Sequence, residues 1–280
     1  MLIGELYRQV RGRFRNAGLS TPELDARVLV SAALKIPAGD LILRETDSVS
    51  DEKASLAAIY AEQRLKGMPV GRILGEREFY GRRFLLNDAT LEPRPDTEVL
   101  IDAILQRVGP DQPGIMCDIG TGTGAIAVTL LAELPQSRMI AVDLSEHALH
   151  CAVQNARLQG VEERFHPVCA DYCSALRPGL DWIVSNPPYI RSSVLGGLAR
   201  EVILHDPVLA LDGGETGLAA YVQIATEAEI LLKPGGGIAL EIGYDQAADV
   251  DKQLRHHGFG AIEIIKDLAG NDRVVTARKI

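Results

Sequence analysis

The sequence predicts an α/β protein: an open, mostly parallel sheet preceded by a small all-helical domain and a β-hairpin connector. Three observations carry this. From about residue 97 onward, short apolar strands alternate with helical runs. Before residue 75 the pattern is helical, with no convincing strand. Between the two, Gly67-Met-Pro-Val-Gly-Arg-Ile-Leu-Gly75 punctuates the chain heavily. The expected domains are therefore 1–75 (helical), 76–92 (hairpin linker) and 93–280 (α/β).

In the helical part, Ser20-Thr-Pro-Glu23 reads as a helix start: Ser20 can cap, Glu23 can close a capping box, and proline is tolerated in the first turn. Leu24, Val28 and Ala32 then recur at helical spacing. Pro37 and Gly39 end that element, and Asp51-Glu-Lys-Ala54 starts another running towards Arg64. Arg8, Arg11 and Arg15 fall on one face of the first helix, which suits either an acidic partner or a plain solvated surface.

Glu78-Phe-Tyr-Gly-Arg-Arg-Phe-Leu-Leu86 reads as two short strands meeting at Tyr80-Gly81. A helix follows from Thr97-Glu98 to about Val108. Ile115-Met-Cys-Asp118 is a strand, followed at once by Gly120-Thr-Gly-Thr-Gly124 and a helix, Ala125 to Glu133. Arg138 to Asp143 is the next strand, then a helix from Ser145 to Gln159, which makes a right-handed βαβ unit. Trp182-Ile-Val-Ser185 is the fourth strand, and Ile238–Ile242 and Ala261–Ile265 are later ones. Arg273-Val-Val-Thr-Ala277 follows a turn, Gly270-Asn-Asp272, too short for a parallel crossover, so it runs antiparallel to its predecessor.

Composition bounds the function. The 280 residues are 46% hydrophobic and 24% charged, ordinary for a globular protein. No apolar run approaches the roughly 18 residues of a membrane span, and the first residues lack a signal-peptide core. Cys117, Cys151, Cys169 and Cys173 form no C-x-x-C pair, so neither a zinc site nor a disulfide framework is expected. These features predict a reduced, cytoplasmic protein without a metal. The net charge is −9, and it is unevenly spread. Residues 1–75 carry 11 Lys/Arg against 9 Asp/Glu, whereas the remainder carries 18 against 29, a net of −11. That balance weighs against a grip on phosphate backbones.

Three glycines at a strand-to-helix turn let a ligand approach the backbone while helix-terminal N–H groups face it. Nineteen residues beyond Gly124, Asp143 stands at the tip of the next strand, where an acid binds two ribose hydroxyls. The spacing is G-x-G-x-G rather than the G-x-G-x-x-G of dinucleotide folds, and Asp118 precedes the first glycine by two residues. This combination resembles the S-adenosylmethionine (SAM) methyltransferases, in which the loop meets the amino-acid end of the cofactor.

Val184-Ser-Asn-Pro-Pro-Tyr189 ends the fourth strand on the ligand side of such a sheet. A proline-stiffened turn has few backbone states and holds carbonyl oxygens in place without an ordering cost on binding. The residue types suit methyl transfer to a planar nitrogen, a poor nucleophile because its lone pair is delocalised. An NH₂ donating to the Asn186 side-chain oxygen and the Pro187 carbonyl has its lone pair aimed, and these acceptors tighten as the nitrogen becomes positive. Tyr189 is placed to stack on the substrate. The turn itself does not choose between nucleobase amines and glutamine amides.

Neighbouring stretches do choose. Gly71-Arg-Ile-Leu-Gly-Glu-Arg-Glu-Phe79, Pro93-Arg-Pro-Asp-Thr-Glu98, Asp118–Ala125, Val184–Ile190, Ala210-Leu-Asp-Gly-Gly-Glu-Thr-Gly-Leu218 and Asp267-Leu-Ala-Gly-Asn-Asp-Arg-Val274 occur in this order. Over nearly its whole length the chain resembles the HemK/PrmC-type release factor glutamine methyltransferases. The resemblance implies a Rossmann-like class I SAM-dependent fold with a seven-stranded sheet whose last strand is antiparallel. It implies N5-methylation of the glutamine in the Gly-Gly-Gln motif of peptide chain release factors 1 and 2, with S-adenosylhomocysteine as the second product. Carried over by motif, Gly120, Thr121, Gly122, Thr123 and Gly124 contact the methionine part of SAM, Asp143 the ribose, and Asp171 and Tyr172 the adenine. Asn186, Pro187 and Tyr189 are the catalytic set, with Pro188 beside them on the substrate and Asn186 also near the cofactor; Arg94 walls the pocket. The helical domain becomes the substrate-recognition domain, and a monomer without membrane or direct nucleic-acid contact is expected. The chain departs from the family pattern at Glu92, where an apolar residue is usual, and at Asp96 and Asp206, where glutamates are usual.

Two other readings are set against this one. An N6-adenine or N2-guanine nucleic-acid methyltransferase uses the same turn but calls for a basic groove beside it. A SAM-binding scaffold without catalysis has no need of an intact Asn186-Pro-Pro-Tyr189 clamp.

Overall fold

The computed structural model describes residues 1–280, which divide into two compact units, Met1–Glu76 and Arg77–Ile280. The first is all-helical: α1 (Ile3–Asn16), α2 (Pro22–Leu34), α3 (Asp40–Leu43), α4 (Asp51–Leu65) and α5 (Val70–Leu74). Its core joins Leu6, Val10 and Phe14 of α1 to Ala26, Leu29, Val30 and Ala33 of α2 and Ala57 and Ala61 of α4.

Helix α2 differs from its sequence reading. It starts at Pro22, with Thr21 rather than Ser20 at the N-cap position, and the Thr21 hydroxyl donates to Asp25 Oδ1 at 2.8 Å. Leu24, expected on the apolar stripe, is 48% exposed. The buried stripe is rotated away from Leu24: it runs through Ala26, Leu29, Val30 and Ala33 and takes in Asp25 at its edge. The Asp25 carboxylate accepts from Arg64 Nε at 2.7 Å, with both side chains nearly excluded from solvent. A buried, paired acid is invisible to a hydropathy stripe. On α1, Arg15 pairs with Glu23 and Arg11 lies 5.6 Å above the Tyr7 ring.

From Glu76, the last residue of the first unit, the chain forms the hairpin β1 (Glu76–Phe79) and β2 (Arg82–Leu85). Tyr80 and Gly81 both have positive φ, 51° and 66°, as a two-residue type I′ turn requires. There follow α6 (Glu98–Leu105), β3 (Gly114–Ile119), α7 (Ala125–Glu133), β4 (Ser137–Asp143), α8 (Glu146–Leu158), β5 (Phe165–Cys169) and β6 (Leu180–Ser185). Then come α9 (Arg200–His205), α10 (Ala219–Leu231), β7 (Leu232–Glu241), α11 (Ala247–His256), β8 (Phe259–Lys266) and β9 (Asp272–Lys279). No helix is long and apolar enough to cross a membrane.

The seven strands lie in the order β5-β4-β3-β6-β7-β9-β8, with β9 antiparallel to both neighbours. On one face Leu100 and Ile104 of α6, Val128 and Leu131 of α7 and Ala152 of α8 share a core. On the other, Tyr221 and Ile224 of α10 pack with Val250 and Leu254 of α11.

Strand order reverses at β3, which pairs with β4 on one side and β6 on the other. This is the switch point where an open α/β sheet parts to leave a crevice. Register does the rest. Ile119 stands level with Val142 and with Ser185, and Asp143 with Cys169. The glycine turn, Asp143, Asp171-Tyr172 and Asn186 thus all leave the sheet at one edge.

Candidate active site

A cavity of about 310 Å³ occupies that edge, lined among others by Gly120–Thr123, Asp143, Asp171, Tyr172, Asn186–Pro188 and Arg94. Most of the residues singled out from the sequence are brought together in it; Gly124 and Tyr189 are not on its lining.

The glycine turn is held from behind. Gly120, Gly122 and Gly124 have φ of 70°, 55° and 78°, a region that side chains with a Cβ rarely adopt. A Cβ at Gly120 would meet nothing within 4 Å, and one at Gly122 only the Gly120 carbonyl at 3.9 Å, so the backbone is open to a ligand. Gly124 serves packing instead: it caps α7, and a Cβ there would lie 3.1 Å from the Ala152 Cβ. Asn155, buried on α8, accepts from Leu85 N at 2.7 Å and donates to the Thr123 carbonyl at 2.8 Å, tying the turn to the hairpin.

Two carboxylates bracket the turn. Asp118 is fully buried; its Oδ2 accepts from the Thr121 hydroxyl at 2.7 Å, and its Oδ1 has no partner within the protein. Burial pushes this carboxyl up to about 7. Asp143 accepts from Gly122 N at 2.8 Å on one oxygen and Ser145 N at 2.9 Å on the other. Each oxygen keeps a lone pair, so the carboxylate can still take two hydroxyl donors. Tyr172 adopts φ 47°, a strained conformation for an aromatic residue, and turns a half-buried ring onto the cavity.

At the other end, Ser185 is locked by its hydroxyl to the Ile119 carbonyl at 2.7 Å, and Asn186 Nδ2 donates to Thr97 Oγ1 at 3.1 Å. The following residues are zipped to a second segment: Ile190 N donates to the Leu211 carbonyl at 3.0 Å and Gly213 N to the Ile190 carbonyl at 2.8 Å. A Cβ on Gly213 would lie 2.8 Å from the Pro188 carbonyl oxygen, which accounts for glycine in Ala210-Leu-Asp-Gly-Gly214. Tyr189 turns away from the cavity. Its hydroxyl lies 3.5 Å from Glu241 Oε1, its carbonyl takes Gln246 Nε2 at 3.0 Å, and burial first, then the Glu241 charge, push its phenol up to about 12. The stacking surface expected from Tyr189 is therefore absent from this lining. Arg94 does line the cavity, with its guanidinium fixed 2.6 Å from the Asp206 carboxylate. Glu92 is buried and pairs with Arg77 at 3.0 Å, so its charge is answered locally.

Sequence reading missed Thr97, Glu241, Gly213 and Gln246. Thr97 and Gly213 lie within the stretches Pro93–Glu98 and Ala210–Leu218 without having been given a role, and Glu241 left a signal of another kind, an acid near the end of the otherwise apolar run Ile238-Ala-Leu-Glu-Ile242.

The cavity fits an elongated nucleoside cofactor with an amino-acid tail, because its open glycine backbone, doubly anchored carboxylate and aromatic ring stand along one wall. Comparison with known proteins agrees. Residues 5–75 match the family model described as the PrmC N-terminal domain, and residues 95–214 the methyltransferase small domain. In fold, the hMettl16 catalytic domain is similar at a TM-score of 0.58 and 15% identity, over 81% of this chain and 82% of that one. A release factor glutamine methyltransferase of Agrobacterium fabrum is 41% identical over 96% of this chain and 94% of its own length. One from Bradyrhizobium diazoefficiens is 43% identical over 99% and 95%. With the class I methyltransferase sheet, the glycine turn and the Asn-Pro-Pro-Tyr turn on one cavity, and relatives of this identity along nearly its full length, the chain belongs to the release factor glutamine methyltransferase family.

Proposed function

We propose that this chain methylates the side-chain N5 of the glutamine in the Gly-Gly-Gln motif of peptide chain release factors 1 and 2, with SAM as methyl donor. The observation that carries this is the shared cavity: Asn186–Pro188 form one end of the same space whose wall holds Gly120–Thr123, Asp143 and Tyr172. The names of the two relatives support the substrate.

The residues divide the work as follows. The amino-acid end of the cofactor lies against the open backbone of the glycine turn and the start of α7, whose Thr121, Gly122 and Gly124 N–H groups are already spent on holding the turn. Asp143 takes the ribose diol, and Asp171 with Tyr172 the adenine. The group held there supplies a methyl on a positively charged sulfur, which no residue of the chain provides. Asn186 Oδ1 and the Pro187 carbonyl accept the two N–H bonds of the glutamine amide and turn its lone pair towards the glycine-turn end. Charge building on nitrogen strengthens both bonds, so the stabilisation is larger in the transition state than in the bound substrate. No strong base is required, because the nitrogen becomes acidic as it is alkylated. Arg94, fixed by Asp206, walls the entrance for the glutamine loop. The helical unit recognises the release factor, and the setting is the cytoplasm, where release factors work.

The test is incubation with labelled SAM and either an intact release factor or one whose Gly-Gly-Gln glutamine is changed to Ala. Label in the intact factor alone is expected. Label in both, or only in added DNA or RNA, overturns the reading.

A further inference from the structure

Behind the Asn-Pro-Pro-Tyr turn lies a buried hydrogen-bond relay. Asn186 Nδ2 donates to Thr97 Oγ1 at 3.1 Å, and Thr97 Oγ1 donates in turn to Glu241 Oε2 at 2.6 Å. Thr97 is 4% exposed and Glu241 1%. The second carboxylate oxygen of Glu241 lies 3.5 Å from the Tyr189 hydroxyl. Thr97 and Asn186 line the cavity, whereas Glu241 does not.

The direction of this relay follows from counting protons. A hydroxyl has one proton to give. An ionised carboxylate only accepts, so Thr97 must spend that proton on Glu241 and offer Asn186 nothing but lone pairs. Asn186 then has to present its NH₂ to Thr97, which leaves Oδ1 for the cavity. Packing alone chooses poorly here, because the two ends of an asparagine amide have nearly the same shape. Rotating the amide by half a turn puts a donor where a substrate NH₂ needs an acceptor.

We propose that Glu241 is a positioning residue for methyl transfer: acting through Thr97 it fixes the Asn186 amide with its oxygen towards the substrate. This rests on reading Asn186 as the acceptor for the substrate amide. The charged groups facing Glu241 are Arg273 and Asp96; Arg273 is itself held by Asp96 at 3.2 Å and Asp267 at 3.0 Å. Tyr189 and Tyr221 complete its titratable surroundings, the latter donating to the Glu241 backbone carbonyl at 3.0 Å. Burial is the largest influence and raises the carboxyl to about 7, with Asp96 adding to it and Thr97 and Arg273 opposing. Once protonated, Glu241 can donate to Thr97, and the relay no longer has one direction.

The full-length protein labelled with nitrogen-15 asparagine gives a readout independent of turnover. Nuclear Overhauser contacts between the Asn186 NH₂, assigned by its loss in Asn186→Asp, and the Thr97 methyl are expected at pH 8 and weaken at pH 6. In Glu241→Gln they are weak at both. In single-turnover methyl transfer, Thr97→Val is expected to lose about tenfold or more in rate, the worth of a buried hydrogen bond. Thr97→Ser recovers it. Thr97→Val combined with Glu241→Gln is no slower than Thr97→Val alone, as for two members of one relay. S-adenosylhomocysteine affinity stays within about twofold throughout, which a general loosening of the fold would not allow. Absence of the wild-type contact, an unimpaired Thr97→Val, or losses that multiply in the double variant each overturn the relay. A contact that behaves as described in a protein that does not methylate release factors sinks the substrate reading and leaves the relay standing.

Discussion

Asp143 Oδ2 accepts the Gly122 N–H at 2.8 Å, joining the tip of one strand to the middle of the glycine turn that follows its neighbour. The same carboxylate takes Ser145 N with its other oxygen at 2.9 Å. One side chain therefore shapes the turn and also presents the acid to the cavity. Asp143→Asn tests this, because an amide has one acceptor oxygen for two backbone donors. Losing a hydrogen bond to a charged acceptor costs about 1.5–3 kcal/mol, so the affinity for S-adenosylhomocysteine should fall roughly tenfold to a hundredfold in calorimetry. Binding within twofold of wild type would show that the carboxylate is dispensable.

Tyr172 is held at φ 47° with its ring on the cavity. Glu227 fixes the next residue by accepting Cys173 N at 2.6 Å, so the strained backbone is locked from the far side. Base-on-aromatic stacking is worth about 1–3 kcal/mol. Tyr172→Ala should weaken S-adenosylhomocysteine by roughly five- to a hundredfold, and Tyr172→Phe should keep most of the affinity. Equal losses in both variants would assign the effect to the hydroxyl rather than the ring.

Local patterns in the sequence place the strands, the glycine turn, Asp143 and the Asn-Pro-Pro-Tyr turn, because each is a short-range signal: a run of apolar residues, a spacing of glycines, a proline stop. What the sequence hides are partners far apart along the chain. Thr97 and Glu241 are separated by 144 residues and Arg94 and Asp206 by 112, and no periodicity links either pair. The same blindness applies to α2, whose buried face takes in an acid, Asp25, that only becomes an inward-facing residue once Arg64, 39 residues later, pairs with it. Tyr189 shows the limit from the other side. Its place in the turn suggested stacking, but the ring packs against the core that includes α10 and β7 and does not line the cavity.

Gly213 carries a second segment onto the Asn-Pro-Pro-Tyr turn. A Cβ there would sit 2.8 Å from the Pro188 carbonyl oxygen and 2.9 Å from the Tyr189 Cα, and neither backbone atom can yield cheaply. Gly213→Ala should therefore lower kcat by about tenfold or more while leaving S-adenosylhomocysteine affinity near wild type, with an overpacking cost of about 1–3 kcal/mol in urea unfolding. Gly196→Ala, where a Cβ meets nothing within 4 Å, is the control and should be neutral in stability. A Gly213→Ala enzyme with unchanged kcat would show that the turn does not lean on this segment.

Glu241 also makes stability depend on pH in a direction opposite to most acids. Burial raises its carboxyl from 4.5 to about 7 in the folded protein, so between these values the native state holds a proton that the unfolded chain has released. Stability contributed by this group is present in full below pH 4.5, declines as pH rises towards about 7, and is flat above. Asp118, raised from 3.8 to about 7 by burial, acts in the same sense. Glu241→Gln removes one of the two groups. Its Tm should fall less than that of wild type on going from pH 5 to pH 8, because its neutral amide has no proton to lose. The sign of that difference is the test: an equal or larger fall in the variant means that Glu241 is already ionised at pH 5 in the native protein. In that case the direction of the hydrogen bonds through Thr97 would not change between pH 6 and pH 8, and the acid-side loss of the Asn186 contact would have to come from another group.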